Sequence, residues 1–576
     1  NKFSLAQQLT TNAGLGLGTL ALVGMCAGIA LVAVCLVIFV SPICVGSGIP
    51  EVLGFLNGSH MPGLFTIPSF LVRVLAIVLV QGAGFPVGRE GPMVGIGGCV
   101  GYGVASIFMW RHEKALERGQ STSSLGLGTT GKTGFSTSDI VIREERLALA
   151  KRIGCALGGA AGITTAFNAP IGGILYMFEE MSVSSLPPDL ARFMCTVLSA
   201  LLARALLNLT NMDVHALVIY NSSEEDGNGV WGWVDLPCFV MLAAVLGVCG
   251  AVFSHTLSRV WKFRRQMAKK LQRFQPWAKI IECVLYCSLC AFLFSVVPSF
   301  FGCDPDHVDD TEGHERRLAK GLRYMRYVCP EGEHSEMATL LLSSAEGAVK
   351  HLYVRDAGGM DNPVVLLATL LLYWTLATGM PGLAIPMGTF IPCMLIGALV
   401  GRLQWVLISA LGVSNIASQG VYATVGSTAM LAGFTHMTIG IVALLAEAVN
   451  DFGLVAPMML AAFVAHAFSQ RVGSHGYDEQ LIIHKGVPFL DAEVPAELEG
   501  LTAGEICDEL PDDALLRQQA SLREIKQALR NRDIGYFPII TADGTCAGLT
   551  TRGRLKAVSS AVAPSIQKQQ SPRTLG

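Results

Sequence analysis

No charged residue occurs between Phe3 and Pro50. Within that run Leu15–Val40 is apolar enough to be removed from water as one helix, and at 1.5 Å per residue it would reach about 39 Å. That exceeds the roughly 30 Å of a bilayer's hydrocarbon core. Further long apolar stretches follow at about 65–88, 92–110, 151–178, 191–208, 232–257, 279–301, 363–380, 383–410, 419–447 and 452–469. No basic n-region precedes the first stretch, which argues against a signal peptide. Gly and Pro break many of the segments, as in Ala83-Gly84-Phe85-Pro86 and Met380-Pro381-Gly382. In lipid an interrupted helix is tolerated only where protein or a water-filled cavity satisfies the freed backbone groups. The pattern therefore describes an all-helical polytopic membrane protein with broken helices that enclose a route for ions or solutes.

Composition agrees. Charged residues make up 15% of the chain, against about 25% in soluble domains, and the mean hydropathy is +0.50. The 63 glycines fall inside apolar stretches, as in closely packed membrane helices. A net charge of −3 offers no footprint for nucleic acid, and 16 cysteines in 576 residues are too dilute for a disulfide scaffold.

Arg259, Lys262, Arg264, Arg265, Lys269 and Lys270 form a basic run between two apolar segments, which the positive-inside rule places in the cytosol. If 279–301 then crosses once, residues 303–352 form a lumenal or extracellular loop. Cys303 and Cys329 lie in that loop, and a disulfide between them is expected; the alternative leaves both thiols free. The glycosylation triplet Asn221-Ser222-Ser223 falls on the same side. Residues 112–146 read as a hydrophilic, mobile loop. From Asp491 the composition turns soluble, and helical and strand patterns alternate through 491–562. There Tyr536-Phe537-Pro538-Ile539-Ile540 and Ala547-Gly548-Leu549-Thr550 read as strands. Residues 563–576 read as a disordered tail.

Three short segments share one design. Gly46-Ser47-Gly48-Ile49-Pro50-Glu51, Gly88-Arg89-Glu90-Gly91-Pro92 and Gly388-Thr389-Phe390-Ile391-Pro392 each open an apolar helical stretch. Glycine lets a ligand approach the backbone, and proline suits the first helical turn. Each segment therefore presents free N–H groups at the positive end of a helix dipole, where an anion is favoured. One such motif is more often a plain helix start. Three in one membrane chain point to an anion path through discontinuous helices.

In this order and spacing the three motifs resemble the signature set of the CLC chloride channels and chloride/proton exchangers. The resemblance runs from about Leu15 to beyond Phe489, taking in Phe167-Asn168-Ala169-Pro170-Ile171-Gly172-Gly173 and Leu445-Ala446-Glu447-Ala448. The cysteine-bearing loop and the run from Glu331 to Phe489 look most like the intracellular branch of eukaryotic endosomes, lysosomes and vacuoles. The resemblance implies two inverted repeats in a membrane domain over 1–490, a homodimer with one pore per subunit, and cytosolic CBS domains. The module from Leu501 to Val562 looks like one CBS repeat. A helix before Leu15 and a second CBS repeat belong to the family pattern and are not legible here. Nucleotide binding and an accessory subunit stay open, and no other cofactor is implied.

Carried over by position, Ser47 and Tyr477 would donate hydroxyls to chloride. The backbone at Gly48 and Ile49, at Thr389, Phe390 and Ile391, and at Arg89 and Glu90 would line its path. Neutral donors hold a halide loosely enough to release it, where a buried lysine would trap it. Nitrate-preferring relatives resemble a version with proline at the position of Ser47.

Glu90 stands at a helix N-terminus where the anion should sit. Ionised, it competes with chloride for the same positive potential; protonated, it loses that hold and can swing away. The bland reading is an N-terminal capping carboxylate, yet an ionisable group in a membrane segment is functional by default. In the exchangers the second acid of a pair such as Glu179-Glu180 resembles an internal proton relay, and in the channels a neutral residue replaces it. The bland reading of that pair is a solvated helix end. Glu447, Asn450 and Asp451 read as structural polar contacts, while Arg73 and Arg204 are expected to snorkel or pair with acids. No Walker loop, zinc motif or nucleophile elbow occurs, so an enzyme is not expected. The reading is a chloride/proton antiporter. The alternatives are a gated passive chloride channel and an inactive regulatory subunit.

Overall fold

The computed structural model describes residues 14–59, 61–123, 137–180, 190–209, 231–305, 324–354, 360–413, 415–473 and 475–487, together with 502, 505, 511 and most of 514–559. Asn221-Ser222-Ser223 and the tail 563–576 lie outside the described residues. Two compact units divide the chain, one of residues 1–128 with 147–490 and one of 129–146 with 491–576.

The first unit is helical. In chain order its elements are α1 (Leu15–Val40), α2 (Ile49–Leu56), α3 (Ile67–Ala83), α4 (Glu90–Ser123), α5 (Thr137–Phe167, from residue 147 on in this unit), α6 (Pro170–Glu180) and α7 (Leu190–Leu209). They continue as α8 (Asp235–Lys270), α9 (Trp277–Val296), the pair β1 (Asp304–Pro305) and β2 (Glu333–His334), α10 (Glu336–Leu342) and α11 (Ala345–Tyr353). Then come α12 (Pro363–Thr378), α13 (Phe390–Ala410), α14 (Gln419–Thr435), α15 (Ile439–Val449), α16 (Val455–Val472) and α17 (Tyr477–Lys485).

Six of the described helical stretches are long and apolar enough to cross a membrane: Leu15–Val40, Glu90–Arg111, Asp235–Lys270, Trp277–Phe300, Phe390–Ala410 and Phe452–Lys485. Outward-facing side chains such as Leu20, Leu198 and Phe463 are apolar, the arrangement for a lipid solvent rather than water.

Glycine sets the spacing between helices. A Cβ on Gly158 of α5 would strike the carbonyl of Gly97 on α4, and one on Gly426 of α14 would strike that of Gly397 on α13. Backbones this close leave no room for any side chain.

Several apolar runs contain breaks. The 151–178 stretch becomes α5 and α6, divided at Asn168 (φ 55°). The 419–447 stretch becomes α14 and α15, divided at His436 (φ 66°). The 383–410 stretch begins irregularly, and α13 starts only at Phe390. The connection expected over 112–146 is shorter than its composition suggests, because α4 runs on to Ser123 and α5 starts at Thr137. Nor is 303–352 simply a solvated loop: α10 and much of α11 are buried. Cys303 and Cys329 are joined by a disulfide with Cα atoms 5.8 Å apart.

In the second unit a three-stranded sheet has the order β3-β4-β5, from Leu516–Arg517, Tyr536–Ile540 and Cys546–Thr551. β3 runs parallel to β4, and β4 antiparallel to β5. Helix α18 (Leu522–Ala528) lies between the first two strands in sequence. Ala514, Leu516, Ala528, Phe537 and Leu555 form its core.

Candidate functional site

The loops that lead into α2, α4 and α13 are stitched together by their backbones. The Gly46 amide donates to Ile385 O (2.9 Å), and the Met387 amide donates to Gly46 O (3.1 Å). Gly88 and Gly388 exchange a reciprocal pair at 2.8 and 2.9 Å. The three glycine-proline motifs thus converge, although the first begins at Gly46 and the last at Gly388. Gly48 caps α2 at φ 79° with Pro50 in the first turn, a left-handed conformation that glycine adopts without steric cost.

A cavity of about 30 Å³ is lined by Ser47, Thr389, Tyr477, Trp261, Met387 and Lys485 among others. The Ser47 hydroxyl oxygen accepts from the Ile49 amide at 3.3 Å, which leaves its O–H to donate elsewhere. A Cβ on Gly91 would sit 2.7 Å from the Ser47 Cβ, so α4 must bring glycine to this point. Tyr477 is 2% exposed and stacks on Phe434 with centroids 4.8 Å apart. Lys485 is paired with Glu51 at 2.6 Å. The lysine at the cavity is thereby neutralised, so it does not act as the anion trap that an unpaired lysine would be.

Glu90 opens α4 and is 1% exposed. Its carboxylate folds against Gly88 and Gly388: a Cβ on Gly388 would lie 3.0 Å from Oε2, and one on Gly88 would collide with the same oxygen. Oε2 has no hydrogen-bond partner. The carboxylate therefore lies against the paired loops that feed two of the helix N-termini, where an anion would otherwise be drawn.

The Arg89 side chain turns elsewhere. Its Nε meets Glu346 Oε1 at 2.9 Å, and Nη2 donates to Ala166 O at 3.2 Å. Helix α11, which carries Glu346, is gripped by Arg402 of α13. That guanidinium donates to Leu352 O (2.8 Å), His351 O (3.1 Å) and Val354 O (3.1 Å).

The paired acids separate into two tasks. Glu179 caps α15, accepting from the Thr438 hydroxyl (2.9 Å) and from the amides of Thr438 (2.5 Å) and Gly440 (2.6 Å). Glu447 returns the favour, accepting from the Gly172 amide in the first turn of α6 at 2.8 Å. Glu180 is left in electrostatic reach of Asp478 and Glu479 at the start of α17. Tyr176, fully buried with its hydroxyl unpartnered, is in electrostatic reach of both Glu180 and Glu90.

Sequence reasoning missed Tyr176, the Glu51–Lys485 pair and the role of Arg73. Arg73 is 2% exposed and forms no ion pair with an acid among the described residues. Its guanidinium packs against Gly48 and Gly95, with Nη1 unpartnered. A positive charge buried beneath the N-terminus of α2 adds to the potential that attracts an anion there. Its signal was present as a lone arginine in an apolar stretch. Asn450 ends α15 in the left-handed conformation and Asp451 accepts from the Gly453 amide (2.9 Å), both structural contacts. The Arg204 side chain lies outside the described residues.

The voltage-gated chloride channel family matches residues 28–470. Arabidopsis thaliana chloride channel protein CLC-b is 26% identical over 93% of this chain and 65% of its own length. Human H(+)/Cl(-) exchange transporter 7 is 29% identical over 87% of this chain and 58% of its own. The chain thus spans about 58–66% of the length of such curated relatives. Among solved structures, a eukaryotic CLC transporter superposes with a TM-score of 0.63 at 19% identity, covering all of this chain and 85% of that one. A slow cyanobacterial Cl-/H+ antiporter gives 0.59 at 18% identity, over 84% of this chain and 91% of its own. Broken helices, convergent helix N-termini and the family match agree: this is a membrane protein that belongs to the voltage-gated chloride channel family.

Proposed function

We propose that this chain exchanges chloride for protons across an intracellular membrane of a eukaryote, as one subunit of a homodimer. The observation that carries the reading is the Glu90 carboxylate folded onto the Gly88–Gly388 pairing, with a second acid, Glu180, at the end of α6. The names of its relatives support the same chemistry, H(+)/Cl(-) exchange among them.

Chloride is held by neutral donors, the hydroxyls of Ser47 and Tyr477 and the amides at the starts of α2 and α13. Glu90 is the gate. Ionised, it excludes chloride; protonated, it carries no charge to hold it at the helix N-termini, and it yields. Glu180 takes protons from the cytosol and passes them inward past Tyr176. The mechanism requires no cofactor. The basic end of α8 faces the cytosol, and the Cys303–Cys329 bridge faces the lumen. The second unit is a cytosolic CBS-type module.

The test is a vesicle reconstitution with an imposed chloride gradient and internal pH followed by a trapped dye. Uphill proton movement driven by chloride is the expected result, and Glu90→Gln is expected to carry chloride passively with no dependence on pH. Chloride flux without proton movement in the unmodified protein would identify a channel. No flux would identify the inactive subunit.

A further inference from the structure

Residues 271–276 join α8 to α9. Helix α9 holds 20 residues and so reaches about 30 Å, the thickness of the hydrocarbon core. Its first turn therefore stands at one face of the bilayer. Helix α8 holds 36 residues and reaches about 54 Å, so part of it stands outside the core. Eight lysines and arginines occur from Arg259 to Lys279, whereas Glu282 is the one acid between Asp235 and Asp304. Phe263, Phe274 and Trp277 are exposed among these cations, and aromatic rings of this kind settle at headgroup level.

Positive charge at a membrane face needs no ligand to explain it, since topology alone calls for it. The cavity between the two helices is a separate observation. It measures about 260 Å³, a little below the roughly 300 Å³ at which small-ligand sites begin. Phe263, Met267 and Leu271 make one wall apolar, while Arg264, Gln275, Lys279 and Glu282 make another polar. Arg264 Nε meets Glu282 Oε1 at 2.6 Å, and its Nη1 donates to Gly379 O (2.5 Å) and Pro381 O (2.7 Å). That pair is a fixed and neutral part of the wall. Lys279 forms no ion pair among the described residues, so the cavity keeps a net positive charge. Helix α9 also begins with no side-chain cap and no acid in its first turn, and the positive end of its dipole adds to that charge.

We propose that this cavity binds one anionic phospholipid of the adjoining leaflet, its phosphate beside Lys279 and the start of an acyl chain along Phe263 and Met267. A charged head on an apolar tail matches a cavity whose walls are cationic and apolar at the depth where head and tail meet. An acidic peptide would satisfy the lysine and leave the apolar wall bare. The cations along the end of α8 gather anionic lipid near the surface, each contributing to the attraction, and the cavity holds one molecule of it. With α8 oriented as proposed above, the leaflet is the cytosolic one, where anionic lipid is concentrated. The inference rests on the membrane fold and that orientation, not on the exchange of chloride for protons.

Native mass spectrometry of the full chain tests the proposal, with phosphatidylserine or phosphatidylcholine of the same acyl chains added to the detergent-purified protein. Phosphatidylserine should be retained in preference to phosphatidylcholine. Lys279→Gln should weaken that retention roughly fivefold, the factor for one lysine near an anionic surface, and Lys279→Arg should preserve it. Ala268 also lines the cavity, and Ala268→Trp should displace the lipid by filling the space with the charge unchanged. Lys269 lies outside the lining, and Lys269→Gln should change retention little. Lys279 is exposed, so its variants report even where Ala268→Trp fails to fold. Equal weakening by Lys269→Gln and Lys279→Gln would show diffuse attraction to a basic surface and overturn the site. Phosphatidylcholine held as firmly as phosphatidylserine would show a slot for any acyl chain and overturn the recognition of charge. Displacement of phosphatidylserine by a soluble oligoglutamate would assign the cavity to an acidic protein segment and overturn the lipid. Retention is read without ion flux, so failure of the exchange reading would leave this result standing.

Discussion

Lys485 and Glu51 meet at 2.6 Å beside the cavity lined by Ser47 and Tyr477, and under the proposed function that pairing sets how firmly the cavity holds a halide. Glu51→Gln removes the direct partner of the ammonium. Chloride should then bind roughly tenfold more tightly, about 1.4 kcal/mol, and turn over more slowly. Titration calorimetry on the purified protein measures the first effect, and an unchanged affinity would contradict it. The pair was not legible in the sequence, because 434 positions separate its members and neither stands in a recognisable spacing. Ser47, Glu90, Thr389 and Tyr477 were legible for the opposite reason. Each sits in or beside a short glycine-bearing motif whose helix start is a local property. Arg73 was visible but misread. An arginine in an apolar stretch is expected to find an acid or the interface, whereas this one lies beneath Gly48, where it adds to the positive potential of a helix start.

Helices α6 and α15 cap each other through Glu179 and Glu447, and an exchange of this kind binds two broken segments as one. Glu179→Ala strands the amides of Thr438 and Gly440. It should cost about 2–3 kcal/mol, as for hydrogen bonds to a charged group. Thermal unfolding in detergent reads this, with Glu180→Ala as the milder control; equal loss in both would contradict the division of tasks. In the second unit, Ser521 and Glu524 form a capping box at α18, with bonds of 2.7 and 3.3 Å. The amide and hydroxyl of Ser521 hold the Glu524 carboxyl below its ordinary value. A depressed folded pKa contributes stability that is present above the ordinary carboxylate range, about pH 4.3, and is lost as pH falls through the folded value. Amide exchange in α18 should therefore quicken on acidification below about pH 4, and exchange indifferent to pH in that window, after correction for intrinsic rates, would count against the box. Gly and Pro announced many of the broken helices. The breaks at Asn168 and His436 were harder to see, since a left-handed non-glycine residue there interrupts a stretch that is apolar on either side.

At the scale of the whole molecule, hydropathy and three motifs were sufficient to read an all-helical membrane fold and the convergence of its glycine-proline helix starts. They could not give the packing. The sequence says that glycine is abundant, but only the fold shows which glycines face a neighbouring backbone, as Gly158 faces Gly97. Nor could they show that 303–352 folds into the protein, because α10 and α11 are buried by Arg402 and other groups remote in the chain. The proposed function has one carboxylate, Glu90, at the paired loops and a second acid, Glu180, at the end of α6, and it stands on their division of labour. Simultaneous recording of chloride and proton fluxes in vesicles, for the unmodified chain and for Glu180→Ala, tests it most directly. The unmodified chain should move protons uphill at the expense of a chloride gradient, and Glu180→Ala should keep chloride flux while losing the protons. Proton pumping that survives in Glu180→Ala would contradict the account.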